Sequence, residues 1–385
     1  MSVVLAGRKV VLRDRVVEPG WVRVEGDRVV ALRPGRPPAG LPATLLNTNV
    51  VVPGFVDLHV HGGGGGSFDD GDLAEAEAAV AFHRVHGTTS MMASLVAAPP
   101  EQLMRTVAAL APLVTSGVLL GLHLEGPWLS RRQAGAHDPA LLRDPTVQEL
   151  QSVLAAGGGA VRVVTLAPEL RGALEAVRVA AAAGVVVAVG HTDASYDETV
   201  QAVLAGARLG THLFNAMRPL LHREPGPVAA LLESPQVTVE LIADGVHVHP
   251  SVLRLVLRQV GADRVALITD AIAAAGGPDG EYQLGGLDVQ VNDGTARLAG
   301  SNTIAGSTLT MDAAFRFAVQ RCGASLRQAS AMTSSTPAAV LGRDDLGAVA
   351  VGRRADLVML DAELQVQGVM AAGRWVKADG GPAGG

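Results

Sequence analysis

The sequence predicts an α/β protein: a (β/α)8 barrel of the TIM type, with a small β-sandwich domain formed by the N- and C-terminal segments. The first observation is a run of repeats. Apolar stretches recur at PGFVDLHV, TTSMMASLV, VLLGLHL, VRVVTLAP, VVVAVGHT, RLGTHLF, VTVELIAD and RVALITDA, with alanine- and leucine-rich stretches of helical length between most of them. Strand–helix alternation implies a parallel sheet. Repeats of this number over roughly 290 residues fit a closed barrel better than an open doubly wound sheet. The second observation is a change of pattern at both ends. VVLAGRKVVLRD and GWVRVEGDRVVALRPG alternate apolar and charged residues around Gly7, Gly20 and Gly26, and LGAVAVGRRADLVMLD and QVQGVMAAGRWV resemble them. Residues 1–52 and 345–385 therefore read as two halves of one β-domain, and residues 53–344 as the barrel.

Composition narrows the class. A chain of 385 residues with 48% hydrophobic and 18% charged residues can bury a large core and is not disordered. The net charge is −6 and no basic stripe exists, which argues against a nucleic-acid partner. The early charges Arg8, Lys9, Arg13, Asp14 and Arg15 interrupt any signal-peptide core, and no apolar run reaches the length of a membrane span. A soluble, cytoplasmic protein without a membrane partner is expected. Cys322 is the single cysteine, so no internal disulfide forms; it ends an apolar helical stretch and reads as a buried structural thiol. No G-x-G-x-x-G follows a strand and no Walker lysine motif is present, so no nucleotide cofactor is indicated.

In a barrel of this kind the chemistry sits where strands end and βα loops begin. Those ends carry His59 and His61, then His123 and Glu125, then His191, His212 and Asp270. His59 and His61 are two positions apart on one strand and point the same way, a half-site for a divalent metal. An isolated H-x-H would be only a polar pair at a strand end. Several potential ligands at the same end of separate strands point to a metal centre.

Asp57-Leu58-His59-Val60-His61, at the end of an early strand ahead of a long strand–helix alternation, resembles the opening of the metal-dependent amidohydrolase superfamily. HLEGPWLS at 123–130, GAH at 135–137, GHT at 190–192, THLFNAM at 211–217, IADGVHV at 242–248 and ITDA at 268–271 form an ordered set. That set resembles the N-acetylglucosamine-6-phosphate deacetylases over nearly the whole chain. Only Lys9 and Lys377 exist, so the carboxylated barrel lysine that bridges two ions in many superfamily members is lacking here, and Glu125 is well placed to supply the carboxylate.

The resemblance implies Glu125, His191 and His212 as ligands of a principal Zn²⁺ or Fe²⁺, with His59 and His61 completing a second site, for one or two ions per subunit. It implies Asp270 as the catalytic carboxylate. Substrate contacts would come from Ala136, His137, Asn215, Ala216, Arg223 and His247, and from a loop of Ile304, Ala305, Gly306 and Ser307. In that loop AGS occurs twice, at 299–301 and 305–307, and the second copy is aligned because TLTM follows it. The implied reaction is metal-dependent hydrolysis of N-acetyl-D-glucosamine 6-phosphate to D-glucosamine 6-phosphate and acetate, in amino-sugar catabolism or recycling. Arg223 would grip the phosphate, within its own subunit or across a homodimer. The alternatives are a related amidohydrolase deacylating another N-acyl substrate (N-acetylgalactosamine 6-phosphate or an N-acyl amino acid) and a non-catalytic barrel serving in assembly. His83 and His86 read as structural, His222 has no assigned role, and His249 reads as a helix cap. The run Gly62–Gly66 reads as a close backbone approach or a mobile loop.

Overall fold

The computed structural model of the protein describes residues 2–38 and 47–378; the parts of the terminal β-segments at residues 1, 39–46 and 379–385 lie outside them. The chain divides into two compact units, Met1–Asp57 with His83–Ser90 and Thr310–Gly385, and Leu58–Phe82 with Met91–Leu309.

In the first unit, strands from both ends of the chain join one eight-stranded sheet. Its central strand, Asn47–Pro53, runs parallel to Ser2–Val11 on one side and antiparallel to Leu357–Leu360 on the other. The reason is the period-2 pattern: Val3 and Leu5, Val22 and Val24, and Leu357 and Met359 face one apolar cluster. The chain leaves this sheet at Pro53 and resumes as a strand at Phe55–Asp57. Gly54 lies at the junction, where a side chain would meet Thr89 and the Asp356 Cβ. Cys322 is buried, and His86 pairs with Asp312 at 3.3 Å.

The predicted strands form the barrel sheet, as Phe55–Asp57, Thr88–Leu95, Gly121–Glu125, Val161–Leu166, Val186–Val189, Leu209–Gly210, Thr238–Ile242 and Val265–Ile268, paired in sequence order. Its first strand is shorter than PGFVDLHV suggests. Regular pairing stops at Asp57, and beyond it the chain is held by single links, among them Val60, which bridges Ala271 in parallel. His59 O accepts from Asp270 N at 2.9 Å and His61 N donates to Ala271 O at 2.8 Å, so the first and last strand ends close the ring. Helices follow most strands with caps that the sequence spells out. Thr146 accepts from Glu149 N, Ser195 and Glu198 form a capping box, and His249 caps Pro250–Val260.

Of the two readings of Gly62–Gly66, close backbone approach is the one found. Gly62 and Gly63 pair with Ser67 and Gly66, Gly64 and Gly65 turn at φ +59° and +88°, and a Cβ on Gly66 would strike the Glu75 carbonyl. A three-stranded antiparallel sheet, Gly280–Leu284, Leu287–Asn292 and Thr295–Leu298, follows the last barrel strand.

Gly54→Ala should destabilise the protein by about 1–3 kcal/mol, because the added methyl overpacks a site with no slack. Thermal or denaturant unfolding reads this directly, and an unchanged midpoint would contradict it.

Candidate metal centre

The donor side chains leave the barrel strands at their C-terminal ends, and the backbone there is unusual. His191, His212, Phe214, Ala216 and Asp270 all have positive φ, between +26° and +80°, although none is glycine. This left-handed region is unfavourable for L-residues and is kept where the surroundings enforce it. Three of these residues, His191, His212 and Asp270, carry donor atoms that meet in the barrel mouth.

There they meet as two clusters, each with its ligand atoms within 4.8 Å of one another: His59, His61 and Asp270, and Glu125, His191 and His212. Glu125 touches both. Its Oε1 lies 2.9 Å from His212 Nε2, 3.2 Å from His191 Nε2 and 3.4 Å from His59 Nε2, while Oε2 lies 3.1 Å from His61 Nε2. Asp270 Oδ1 is 3.3 Å from His61 Nε2 and 3.4 Å from His59 Nε2. All are buried. Two imidazole nitrogens and a carboxylate oxygen, converging in each cluster, form a donor set that fits a divalent transition ion.

The electrostatics ask for positive charge. Burial pushes Glu125 up, but the charges of His59 and His191 and hydrogen bonds from His137 and His191 hold it well below the usual carboxylate range. Burial is likewise outweighed at Asp270 by the His59 charge and the His61 hydrogen bond, which keep it ionised. Burial lowers His61, yet hydrogen bonds to Asp270 and Glu125 lift it to about 9, and the Glu125 and Asp270 charges raise His59 well above its ordinary value. The ionised carboxylates thus keep protons on the His59 and His61 rings, a positive charge that a divalent cation would supply instead.

His137 behaves differently. Burial takes it down to about 4 against the pull of Glu125, so it is neutral. Ala97 N donates to its Nδ1 at 3.3 Å, which leaves the ring proton on Nε2, 3.4 Å from Glu125 Oε2.

A cavity of about 410 Å³ opens over the clusters, lined by His61, Glu125, His191, His212 and Asp270. Ala136, His137, Asn215, Ala216, His247, Ile304 and Gly306 also line it. His247 is held by Asp244, with Nδ1 2.6 Å from Oδ2. Ala305 and Ser307 do not line this cavity: Ala305 packs with Ile272 and Leu284, and Ser307 Oγ donates to Thr269 O at 2.5 Å. The first AGS copy forms the turn after Thr295–Leu298, so the second copy is the one at the cavity. Arg223 is exposed, away from this lining, and hydrogen-bonded to His222 Nε2 at 2.7 Å. A neighbouring cavity of about 440 Å³ carries Asp69, Asp70 and Glu75 but neither cluster, so chemistry rather than size places the site.

His123, expected among the strand-end donors, joins neither cluster. Its Nδ1 meets Ser94 Oγ at 2.9 Å and its Nε2 meets Thr165 Oγ1 at 2.8 Å, and burial together with the His59 charge holds it well below its usual pKa. Sequence reasoning missed Arg132, Gln133, Leu284, Asn302 and Thr303 in the lining. It also missed Glu240, buried behind His59. A signal existed for the last: a glutamate inside the apolar strand VTVELI must face the interior and be paired there.

The amidohydrolase family matches residues 50–376. The chain is 37% identical over 380 residues to the N-acetylgalactosamine-6-phosphate deacetylase of Escherichia coli O157:H7, covering 97% of this chain and 99% of that one. It is 38% identical over 343 residues to the N-acetylglucosamine-6-phosphate deacetylase of Homo sapiens, covering 85% and 83%. Among solved structures, an aspartate-to-alanine variant of the N-acetyl-D-glucosamine-6-phosphate deacetylase of Mycobacterium smegmatis, in complex with N-acetyl-D-glucosamine-6-phosphate, matches with a TM-score of 0.96 and 51% identity. That match covers 98% of this chain and 100% of that one. The strand-end donors and an alignment running the length of the barrel have one explanation: the chain belongs to the amidohydrolase family.

Proposed function

We propose that the protein hydrolyses the acetamide of N-acetyl-D-glucosamine 6-phosphate to D-glucosamine 6-phosphate and acetate, a step in amino-sugar breakdown and recycling. The observation that carries this reading is one cavity in which a carboxylate shared by two His/carboxylate clusters faces the neutral imidazole of His137. The relatives named above supply the substrate class.

In this reading Glu125, His191 and His212 would hold the principal ion, and His59 and His61 with Asp270 would hold a second. Nitrogen and hard oxygen together suit Zn²⁺ or Fe²⁺. The chemistry such an ion would supply is a lower pKa for water and a polarised acetyl carbonyl. Asp270 starts ionised and accepts a proton from the attacking water. It then delivers that proton to the sugar nitrogen as the C–N bond breaks, which turns a poor leaving group into a free amine. His137 presents Nε2–H to the acetyl oxygen and stabilises the charge that builds there. His247, fixed by Asp244, meets a sugar hydroxyl; Asn215 and the Ala216 backbone meet the sugar or its phosphate. Ile304 and Gly306 face the substrate while Ala305 and Ser307 shape the loop behind them.

Arg223 stands apart from this cavity and supplies its guanidinium to the phosphate of a neighbouring copy, in a homodimer. No described helix is long and apolar enough to cross a membrane, and the reading places the protein in the cytoplasm, where phosphorylated sugars are made. The residues given roles all fall within 53–344, which we assign as the catalytic segment, with 1–52 and 345–385 as its β-domain.

Because Glu125 touches both clusters, Glu125→Ala should strip both ions from dialysed protein, whereas His212→Ala should spare the His59 cluster. Metal analysis by mass spectrometry reads the difference, and equal losses would count against the shared carboxylate. Acetate release from N-acetylglucosamine 6-phosphate, with its galacto epimer and the unphosphorylated sugar alongside, tests the reaction. Asp270→Asn should lower kcat by roughly 100- to 10,000-fold, and Arg223→Ala should raise KM for the phosphorylated sugar alone. Metal-loaded protein that releases acetate from none of these sugars would refute the proposal.

A further inference from the structure

Glu240 lies in the middle of the strand Thr238–Ile242 and is 1% exposed. A glutamate in a barrel interior is expensive, and an apolar residue there would pack at lower cost, so its partners matter. A single oxygen, Oε2, lies 3.3 Å from His59 Nδ1 and 3.3 Å from the backbone nitrogen of His212. His59 belongs to one cluster and His212 to the other. Glu240 O also accepts from Leu213 N at 2.9 Å, so this strand grips the His212 turn by main chain and side chain together.

The four clustered histidines are oriented in different ways. His191 Nδ1 meets a neutral acceptor, Gln133 O, at 2.9 Å. His61 Nδ1 and His212 Nδ1 are buried and have no hydrogen-bond partner among the described residues. His59 alone among the four has a carboxyl group behind it. An acceptor there places the ring proton on Nδ1 and leaves the Nε2 lone pair facing the cluster, and it raises the basicity of the ligand. His212, whose Nδ1 has no such support, is instead held through its backbone nitrogen, at a residue with φ +26°.

We propose that Glu240 is the positioning residue of the metal centre. It fixes His59 as the Nδ1–H tautomer with Nε2 aimed at an ion, and the same oxygen locks the His212 turn, so that one carboxyl group sets a ligand in each cluster. The inference rests on reading the two clusters as ion sites, and Glu240 itself touches neither substrate nor ion.

Chelator-stripped wild type, Glu240→Gln and Glu240→Leu titrated with Zn²⁺ by calorimetry test it, with melting temperatures measured in parallel. Gln keeps the volume and an acceptor oxygen but removes the carboxylate. It should melt near wild type yet weaken the His59 site by about 10- to 100-fold, while Leu, which also removes the acceptor of His212 N, should weaken both Zn²⁺ sites. Unchanged Zn²⁺ affinities in Gln, or a fall in melting temperature alone, would overturn the proposal. Long-range proton–nitrogen spectra of histidine-labelled, Zn²⁺-loaded wild type supply a check independent of variant folding; His59 should carry its proton on Nδ1, and a proton on Nε2 would overturn the assignment. A wild type with a single Zn²⁺ site would sink this inference and leave the hydrolysis standing, whereas a wild type that binds no Zn²⁺ would sink both.

Discussion

Five imidazoles, those of His59, His61, His137, His191 and His212, approach within 3.4 Å of the two oxygens of Glu125, a carboxylate that the barrel has removed from water. Taking such a charge out of water costs several kcal/mol unless neighbours compensate it in good geometry. That requirement explains why strands far apart in sequence end at one place. It also explains why the turns after them adopt backbone conformations that the chain would otherwise avoid. The closure between His59–His61 and Asp270–Ala271 belongs to the same arrangement, since its hydrogen bonds join the two strand ends that carry the first cluster.

Much of this was legible in the sequence for a simple reason. The barrel strands are continuous apolar runs, and a polar residue at the end of such a run must be in the mouth of the barrel. Glu125, His191, His212 and Asp270 could be read that way. The terminal β-segments could be joined because their alternation needs a shared apolar face, which Val3, Val22 and Met359 supply.

What stayed hidden was hidden physically. His123 and Glu125 occupy the same strand face, and nothing in the letters says that hydroxyls from Ser94 and Thr165 take both nitrogens of the first. The sheet over 280–298 was announced by Gly285–Gly286 and Asn292-Asp293-Gly294, turn signals between short alternating runs that the barrel pattern obscured. The positive φ at Phe214 and Ala216 has no residue signature, since neither is a glycine or an asparagine. Arg223 shows the converse, where a motif fixes the residue type and its surroundings decide what it touches.

The pair His123 and Glu125 carries a further consequence. Two residues along a strand is a displacement of roughly 6–7 Å along the chain. Across that distance the interior changes from a hydroxyl-lined floor, Ser94–His123–Thr165–Thr211, to a nest of carboxylates and open imidazoles. Depth in the barrel, more than residue type, thus decides what a histidine can do. A register slip of one such step would carry His123 up to the reactive level and lift Glu125 out toward solvent, so the vertical alignment of the strands is itself a determinant of the chemistry.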